Sequence, residues 1–301
     1  MQKSDLTMRI SSIDIGSNAI RQLIVEIDAF GAWTILKKHR EPIRLGDDVF
    51  IYKNIMEPTQ KRLVLAFKRM ARLNKKFKVD KSIVLATSAF RDAQNKKAVL
   101  TQIKQTSGLK IEVISGQKEA DLIRMAVQNS ICVNNEHCLL IDIGGGSVEL
   151  THMQNSKIFF SKSFKWGMVR TLTEALQQGR NPTLILKDKL KKANASLPKR
   201  AFDLAIGTGG NLDAIGKLKL TLLKKGPNTL ITIAELKLIY KKFLKTKPAD
   251  RIKKLDLKPD RVDVIEPALF LTLFLMKKYK IKRIKIPGVG LKEGAIFSAV
   301  R

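Results

Sequence analysis

Three short apolar runs, each closed by a polar break, open the chain. Residues 9–16, 20–28 and 32–40 are rich in Ile, Val and Leu, which predicts three successive strands. The period then changes. Leu63, Phe67, Met70 and Leu73 recur at helical spacing while Lys61, Lys68, Arg72 and Lys75 fall on other faces, so a helix is expected over about 59–78. Ser82 to Ala86 reads as a buried strand, followed by a helix over about 91–106, a strand at 110–114 and a helix over 117–129. A second βββ opening follows at about 138–144, 147–153 and 156–162. Beyond it the pattern is mostly helical, over 168–178, 183–194, 208–218, 232–245 and 262–277, with a short strand at 283–286 and a terminal helix after Gly290. Thr232 and Glu235 have the spacing of a capping box.

The order βββαβαβα, restarted once, implies an α/β fold of two related lobes around a central cleft. At 301 residues the chain has room for two cores. The polar stretches around Asn129-Ser130 and Asn134-Asn135 put the boundary near 125–137, giving domains 1–128 and 129–301. The terminal helix, about 291–301, is free to pack back on the first lobe.

The restart is also a repeat of chemistry. Ile13-Asp14-Ile15-Gly16-Ser17-Asn18 returns 128 residues later as Ile141-Asp142-Ile143-Gly144-Gly145-Gly146-Ser147. Each copy ends an apolar run with an acid, glycine and a hydroxyl. Glycine lets the backbone approach a ligand closely, consecutive N–H groups in such a turn form an anion nest, and an adjacent carboxylate suits a hard cation. One copy alone would pass for a turn between strands. Two copies at domain-sized separation predict a clamp for a phosphate chain and its metal, with Asp14 and Asp142 on the metal.

Charge adds a partner class without naming one. Lys plus Arg number 57 against 27 Asp plus Glu, a net +30. Such a field attracts polyanions, yet aromatics are only 6%, so base stacking is poorly supplied and specific nucleic-acid binding is not expected. No apolar run approaches the roughly 18 residues of a membrane span, and Met1-Gln2-Lys3-Ser4-Asp5 lacks a signal-peptide pattern. Cys132 and Cys138, with His137 between them, suit reduced thiols better than a zinc site. A cytoplasmic location is the expectation.

Five segments resemble the exopolyphosphatase and guanosine pentaphosphate phosphohydrolase family, a branch of the actin, sugar kinase and chaperone ATPase superfamily. They are Asp14-Ile-Gly-Ser-Asn-Ala-Ile-Arg21, Ala86-Thr-Ser-Ala-Phe-Arg-Asp-Ala-Gln-Asn95, Ile114-Ser-Gly-Gln-Lys-Glu-Ala120, Asp142-Ile-Gly-Gly-Gly-Ser-Val-Glu149 and Gly207-Thr-Gly-Gly210. Arg261-Val-Asp-Val-Ile265 and Gly290-Leu-Lys-Glu-Gly294 extend the match. The resemblance implies actin-like lobes and assigns roles. Glu119 aligns with the general base that activates water, and Arg91 with the arginine near the reacting phosphate. Asp142 and Glu149 align with the Mg²⁺-associated acids, Mn²⁺ being the alternative ion. Ser17, Asn18, Gly144, Gly145, Gly146 and Ser147 would hold phosphate, with Gly207, Gly209 and Gly210 at a strand-to-helix turn. Without the resemblance, Glu119 reads as an exposed acid in the first turn of a helix, and Arg91 as a helix start paired with Asp92.

Four positions depart from the pattern: Ala19, Val148, Asn211 and Lys118. Lys118 matters most, since a cation turned towards Glu119 would weaken it as a base, although adjacent helical residues do not share a face. Longer members carry a further C-terminal helical region. Here the Lys-rich second lobe, with Lys189, Lys199 and Arg200 among its cations, is the candidate track for a long chain, and a homodimer is compatible with it. The expected substrate is inorganic polyphosphate. Guanosine pentaphosphate, the stringent-response nucleotide, is the alternative, as is a weakly catalytic sensor of either ligand.

Overall fold

The computed structural model describes residues 7–132, 135–155 and 157–300. Met1–Asp5, Asn134 and the first residue of the expected strand at 156–162 lie outside these. The chain divides into two compact units, Met1–Ala126 with Leu291–Arg301, and Val127–Gly290.

The first unit is built on a five-stranded sheet. Its strands are β1 (Met8–Ile15), β2 (Ile20–Ile27), β3 (Trp33–Glu41), β4 (Lys81–Ala86) and β5 (Glu112–Val113), in the order β3-β2-β1-β4-β5. β1, β2 and β3 form an antiparallel meander, while β4 runs parallel to β1 and β5 parallel to β4. Central β1 buries its two serines, Ser11 and Ser12. Ser11 Oγ accepts from Gln22 Nε2 at 3.1 Å, and the same amide donates to Asn74 Oδ1 at 2.7 Å. Edge strand β3 carries Lys37, Lys38 and Arg40, charges that discourage pairing with another chain. Part of the basic excess thus has a structural use.

The helices of this unit are α1 (Leu45–Tyr52), α2 (Glu57–Lys76), α3 (Ser88–Asp92), α4 (Lys96–Ser107), α5 (Gly116–Gln128) and the terminal α12 (Leu291–Val300). α1 was not anticipated from the sequence. The expected helix over 91–106 is broken into α3 and α4 by extended Ala93. Tertiary bonds cause the break: the Gln94 N–H donates to the Lys53 carbonyl at 2.8 Å, and Asn95 Oδ1 accepts from the Ile55 N–H at 2.9 Å.

α12 closes this unit. Ile296 joins Ile10, Leu23, Val25 and Ile27 in one core cluster, and the rings of Phe297 and Trp33 lie 4.9 Å apart. At Gly294 the backbones of α12 and α5 touch, so that a Cβ there would overlap the Leu122 carbonyl. Gly294→Ala is therefore expected to destabilise by about 1–3 kcal/mol, the usual range for overpacking. Urea unfolding of the variant checks this, and an unchanged midpoint would show that α12 is loosely held.

The second unit repeats the meander and extends it. Its sheet contains β6 (Cys138–Ile143), β7 (Val148–Gln154), β8 (Lys157–Phe164), β9 (Leu204–Thr208), β10 (Leu230–Thr232) and β11 (Arg283–Lys285), in the order β10-β11-β9-β6-β7-β8. β6, β7 and β8 are antiparallel, and β9 is parallel to β6 as β4 is to β1. β9 and β10 were absent from the predicted elements. Around the sheet lie α6 (Met168–Gln177), α7 (Pro182–Lys192), α8 (Gly209–Leu223), α9 (Ile233–Lys245), α10 (Arg251–Leu255) and α11 (Ile265–Lys278). The capping box at α9 is formed, with Thr232 Oγ1 accepting from the Glu235 N–H and Glu235 Oε2 from the Thr232 N–H.

Candidate active site

In the first unit the candidate residues gather at the carboxyl ends of the parallel strands, the edge where open α/β sheets bind ligands. Backbone bonds align those ends: Thr87 N–H donates to the Ile15 carbonyl at 3.2 Å and Ile114 N–H to the Ala86 carbonyl at 3.0 Å. After β1 the turn closes through a 3.2 Å bond from Gly16 N–H to the Ala19 carbonyl. Ser17 Oγ lies 2.9 Å from Ser88 Oγ of α3, and Asn18 Oδ1 accepts from Arg44 Nε at 2.7 Å. The Ser17 carbonyl accepts from the Gly46 N–H of α1 at 2.9 Å. Neighbouring helices thus set this turn, and Ser88 and Arg44 were not singled out in the sequence.

Arg91, in the last turn of α3, donates through Nη1 to the Ile114 carbonyl and to Glu119 Oε2, each at 2.9 Å. Glu119 is in the first turn of α5, as an ordinary surface acid would be, but only 7% of it is exposed. The surface reading of this carboxylate fails: it is buried and bonded to Arg91 of α3. Lys118 turns the other way and pairs with Glu112 Oε1 at 2.5 Å. The cation paired with Glu119 is Arg91 rather than Lys118.

In the second unit the turn after β6 closes through a 3.1 Å bond from Gly144 N–H to the Ser147 carbonyl. The start of α6 then clamps this turn. The Gly144 carbonyl accepts from Met168 N–H and the Gly145 carbonyl from Arg170 N–H, both at 3.1 Å, and the Gly146 carbonyl accepts from Arg170 Nε at 2.8 Å. A trans peptide points its N–H opposite to its carbonyl. With three carbonyls turned to α6, the N–H groups of Gly145, Gly146 and Ser147 are directed away from it, which is the geometry of an anion nest. Gly167 permits the clamp, since a Cβ there would overlap the Gly146 backbone. Gly167 and Arg170 left one weak trace in the sequence, a glycine between an apolar strand and an amphipathic helix.

The two acids of this unit lie on a single row across the sheet. Register places Thr208 beside Asp142, Asp142 opposite Glu149, and Glu149 opposite Ser163. Thr208 Oγ1 donates to Asp142 Oδ1 and Ser163 Oγ to Glu149 Oε1, each at 2.6 Å. Both hydroxyls approach from the outer strands, so the carboxylates face each other across β6 and β7. They are 7% and 2% exposed. Like charges directly opposite on antiparallel strands repel, and a divalent cation with oxygen ligands removes that cost. The donor set fits Mg²⁺ or Mn²⁺.

The corresponding row of the first unit is resolved differently. Asp14 is opposite Arg21, as Asp142 is opposite Glu149, and Arg21 Nη1 donates to Asp14 Oδ2 at 3.2 Å. A guanidinium stands where the second unit has an acid, so the carboxylate of Asp14 already has a cation.

Gly209, with φ +86°, opens α8, and a Cβ there would stand 2.8 Å from Asp142 Oδ1. Gly209 and Gly210 present the first N–H groups of the helix. Asn211 donates to the Ile143 carbonyl at 2.9 Å and accepts from Arg261 Nη1 at 2.7 Å, tying the end of β6 to α8. Gly207 has another explanation. It lies within β9, where a Cβ would come within 2.9 Å of Leu212 and Ile284, so packing alone requires glycine.

One further expectation changes. Lys189 pairs with Glu174 Oε2 at 2.6 Å, and burial pulls its pKa down against that partner, so it is poorly placed for a surface track. Cys138 is buried and its thiol is pushed up to about 12, chiefly by burial, which makes it an inert structural thiol. Among the described residues no helix is long and apolar enough to cross a membrane.

Comparison with known proteins gives a consistent answer. A family model described as the Ppx/GppA phosphatase family matches residues 23–301. A Haemophilus influenzae protein described as a candidate exopolyphosphatase is 25% identical over 300 residues, covering 96% of this chain and 90% of that one. The crystal structure of an exopolyphosphatase from Cytophaga hutchinsonii superposes with a TM-score of 0.87 at 22% identity, covering 97% of this chain and 98% of that one. An Aquifex aeolicus member of the Ppx/GppA protein family gives 0.79 at 24% identity, with 98% of both chains covered.

Proposed function

The chain belongs to the Ppx/GppA phosphatase family, and from that premise we propose that it is an exopolyphosphatase, releasing the terminal phosphate of inorganic polyphosphate. The observation that carries the reading is the buried cross-strand pair of Asp142 and Glu149, which calls for a divalent cation next to a turn built to hold an anion.

In this reading Asp142 and Glu149 hold Mg²⁺, with Mn²⁺ as the alternative ion and Asp14 as a further acid whose pairing with Arg21 a metal would have to loosen. The bound ion would neutralise phosphate charge as the bridging bond breaks. The N–H groups of Gly145, Gly146 and Ser147 hold phosphoryl oxygens, helped by Ser17, Asn18, Gly209 and Gly210. Glu119 takes the proton of the attacking water, whose oxygen bonds to the terminal phosphorus. The phosphorus–oxygen bond to the next phosphate breaks, and the shortened chain leaves with the bridging oxygen. Arg91 orients Glu119 through the 2.9 Å bond and supplies positive charge for the developing oxyanion. Catalysis of phosphoryl transfer is mostly such positioning and charge stabilisation.

Substrate choice rests on charge. A net +30 is attracted more strongly to a long polyanion than to a nucleotide. The test is phosphate release by the purified protein with Mg²⁺, from long-chain polyphosphate and from guanosine pentaphosphate in parallel. Release from polyphosphate supports the reading, and release from the nucleotide alone replaces it with the pentaphosphate phosphohydrolase. Binding of either ligand without release points to a sensor.

Arg91→Ala is expected to weaken both kcat and substrate affinity, by about 10-fold or more in kcat/KM, since it removes a charge-assisted bond to Glu119 and a phosphate partner. Steady-state kinetics with a parallel melting curve checks it. Loss of thermal stability with unchanged kinetics would reduce Arg91 to a strut between α3 and α5.

A further inference from the structure

A basic cavity lies at the opposite end of the second unit's sheet from Thr208. It has a volume of about 310 Å³ and is lined by Pro198, Lys199, Arg200 and Ala201, ahead of β9, and by Lys278, Tyr279 and Lys280, ahead of β11. β9 and β11 are parallel neighbours, so the segments preceding them meet at one edge. From Leu204 to Thr208 the strand spans roughly 13 Å, which separates this cavity from the row holding Asp142.

Four of the seven lining residues are cationic and none is acidic. None of the four makes an ion pair with a carboxylate among the described residues. Lys278 Nζ donates to the neutral Asn194 Oδ1 at 2.6 Å, and Arg200 Nε to the Ala201 carbonyl at 3.2 Å. Asp203, two residues beyond Ala201, has its Oδ2 occupied by the His137 N–H at 2.8 Å. Tyr279 lines the cavity at 2% exposure, and its hydroxyl has no hydrogen-bond partner among the described residues. Burial, and after it the charge of Arg200, hold His152 below its ordinary pKa.

We infer that this cavity is a second anion site, holding an internal stretch of a phosphate-chain polyanion away from the end that is hydrolysed. The inference rests on the polyphosphate reading above. Four cations without a carboxylate partner around one concavity release counterions when a polyanion replaces them. Tethering the chain at a second point raises its effective concentration at the first. Tripolyphosphate is too short to occupy both ends of the strand, so the benefit is confined to long chains.

The test is the double variant Lys199→Glu/Lys280→Glu, at two exposed positions, with a melting curve to confirm that the variant is folded. Binding of long-chain polyphosphate is measured by calorimetry in a Glu119→Gln background, so that hydrolysis is not needed for the result. Affinity is expected to fall about 10-fold or more, and the slope of log affinity against log salt to drop by about 2, one per lysine. In the active background KM for long chains should rise while kcat and all tripolyphosphate parameters stay unchanged. Unaltered long-chain binding would overturn the site, and so would an equal loss for tripolyphosphate. Duplex DNA matched in phosphate number is the third arm: if it binds as tightly and is lost equally, the cavity reads nucleic-acid backbone instead. A protein that releases phosphate from no polyphosphate would overturn the proposed activity, while the calorimetric arm would still decide the cavity.

Discussion

Glu119→Gln is expected to lower phosphate release from polyphosphate by about 10²-fold or more while leaving the protein folded and able to bind its substrate. The amide has the shape of the carboxylate, and its oxygen still accepts from Arg91, whose Nη1 is also anchored on the Ile114 carbonyl. Packing around this buried side chain is preserved, so the change removes basicity and little else. General bases contribute about 10²–10⁴ in rate. The variant is checked by single-turnover phosphate release beside a melting curve and a polyphosphate titration. Near-normal release would take Glu119 out of the base role. A fall in melting temperature matching the fall in rate would make the Arg91–Glu119 pair structural.

Asp142→Asn should have an effect at least as large, with a signature that a catalytic side chain of another kind would not give. Asp142 and Glu149 are buried opposite each other, and like charges so placed destabilise the metal-free fold. Removing one charge relieves the repulsion, and the amide keeps the oxygen that accepts from Thr208. The metal-free variant is therefore expected to melt at or above the wild-type temperature. Wild type should gain stability with Mg²⁺, by about 2.7 kcal/mol at a hundredfold excess over Kd, and the variant should gain almost none. Its turnover should fall about 10³-fold, the several kcal/mol that a metal contributes to charge stabilisation. A variant that melts lower without metal and still responds to Mg²⁺ would show that Asp142 is a structural acid held by Thr208.

The hairpin openings of both units were legible because alternating apolar runs and glycine turns are local signals, and β1, β2, β6 and β7 fall within a few residues of their expected positions. The long helix α2 and the capping box of α9 were equally local. Short elements were lost. α1 has eight residues and begins among Arg44, Gly46 and two aspartates, and β9 is a five-residue run whose strand character comes from parallel pairing with β6. The sites divide in the same way. Asp142 stood out through the duplicated motif and Glu149 through the family resemblance, whereas Ser163 and Thr208, which orient them, become visible only when register aligns β8 and β9 on the same row.

What the sequence determined by itself was the duplicated α/β plan, the family and the residues that carry the motif, because these depend on periodicity and on residue types at fixed spacing. Tertiary structure decided how each of those residues is used. Asp14 and Asp142 occupy equivalent places in two copies of one hairpin, yet one faces Arg21 and the other Glu149. Glu119 reads as a surface acid along the chain, and in the fold it is buried and bonded to Arg91 of α3. Charge pairing and burial are set by which strands and helices are neighbours, and that adjacency exists only after the chain has folded.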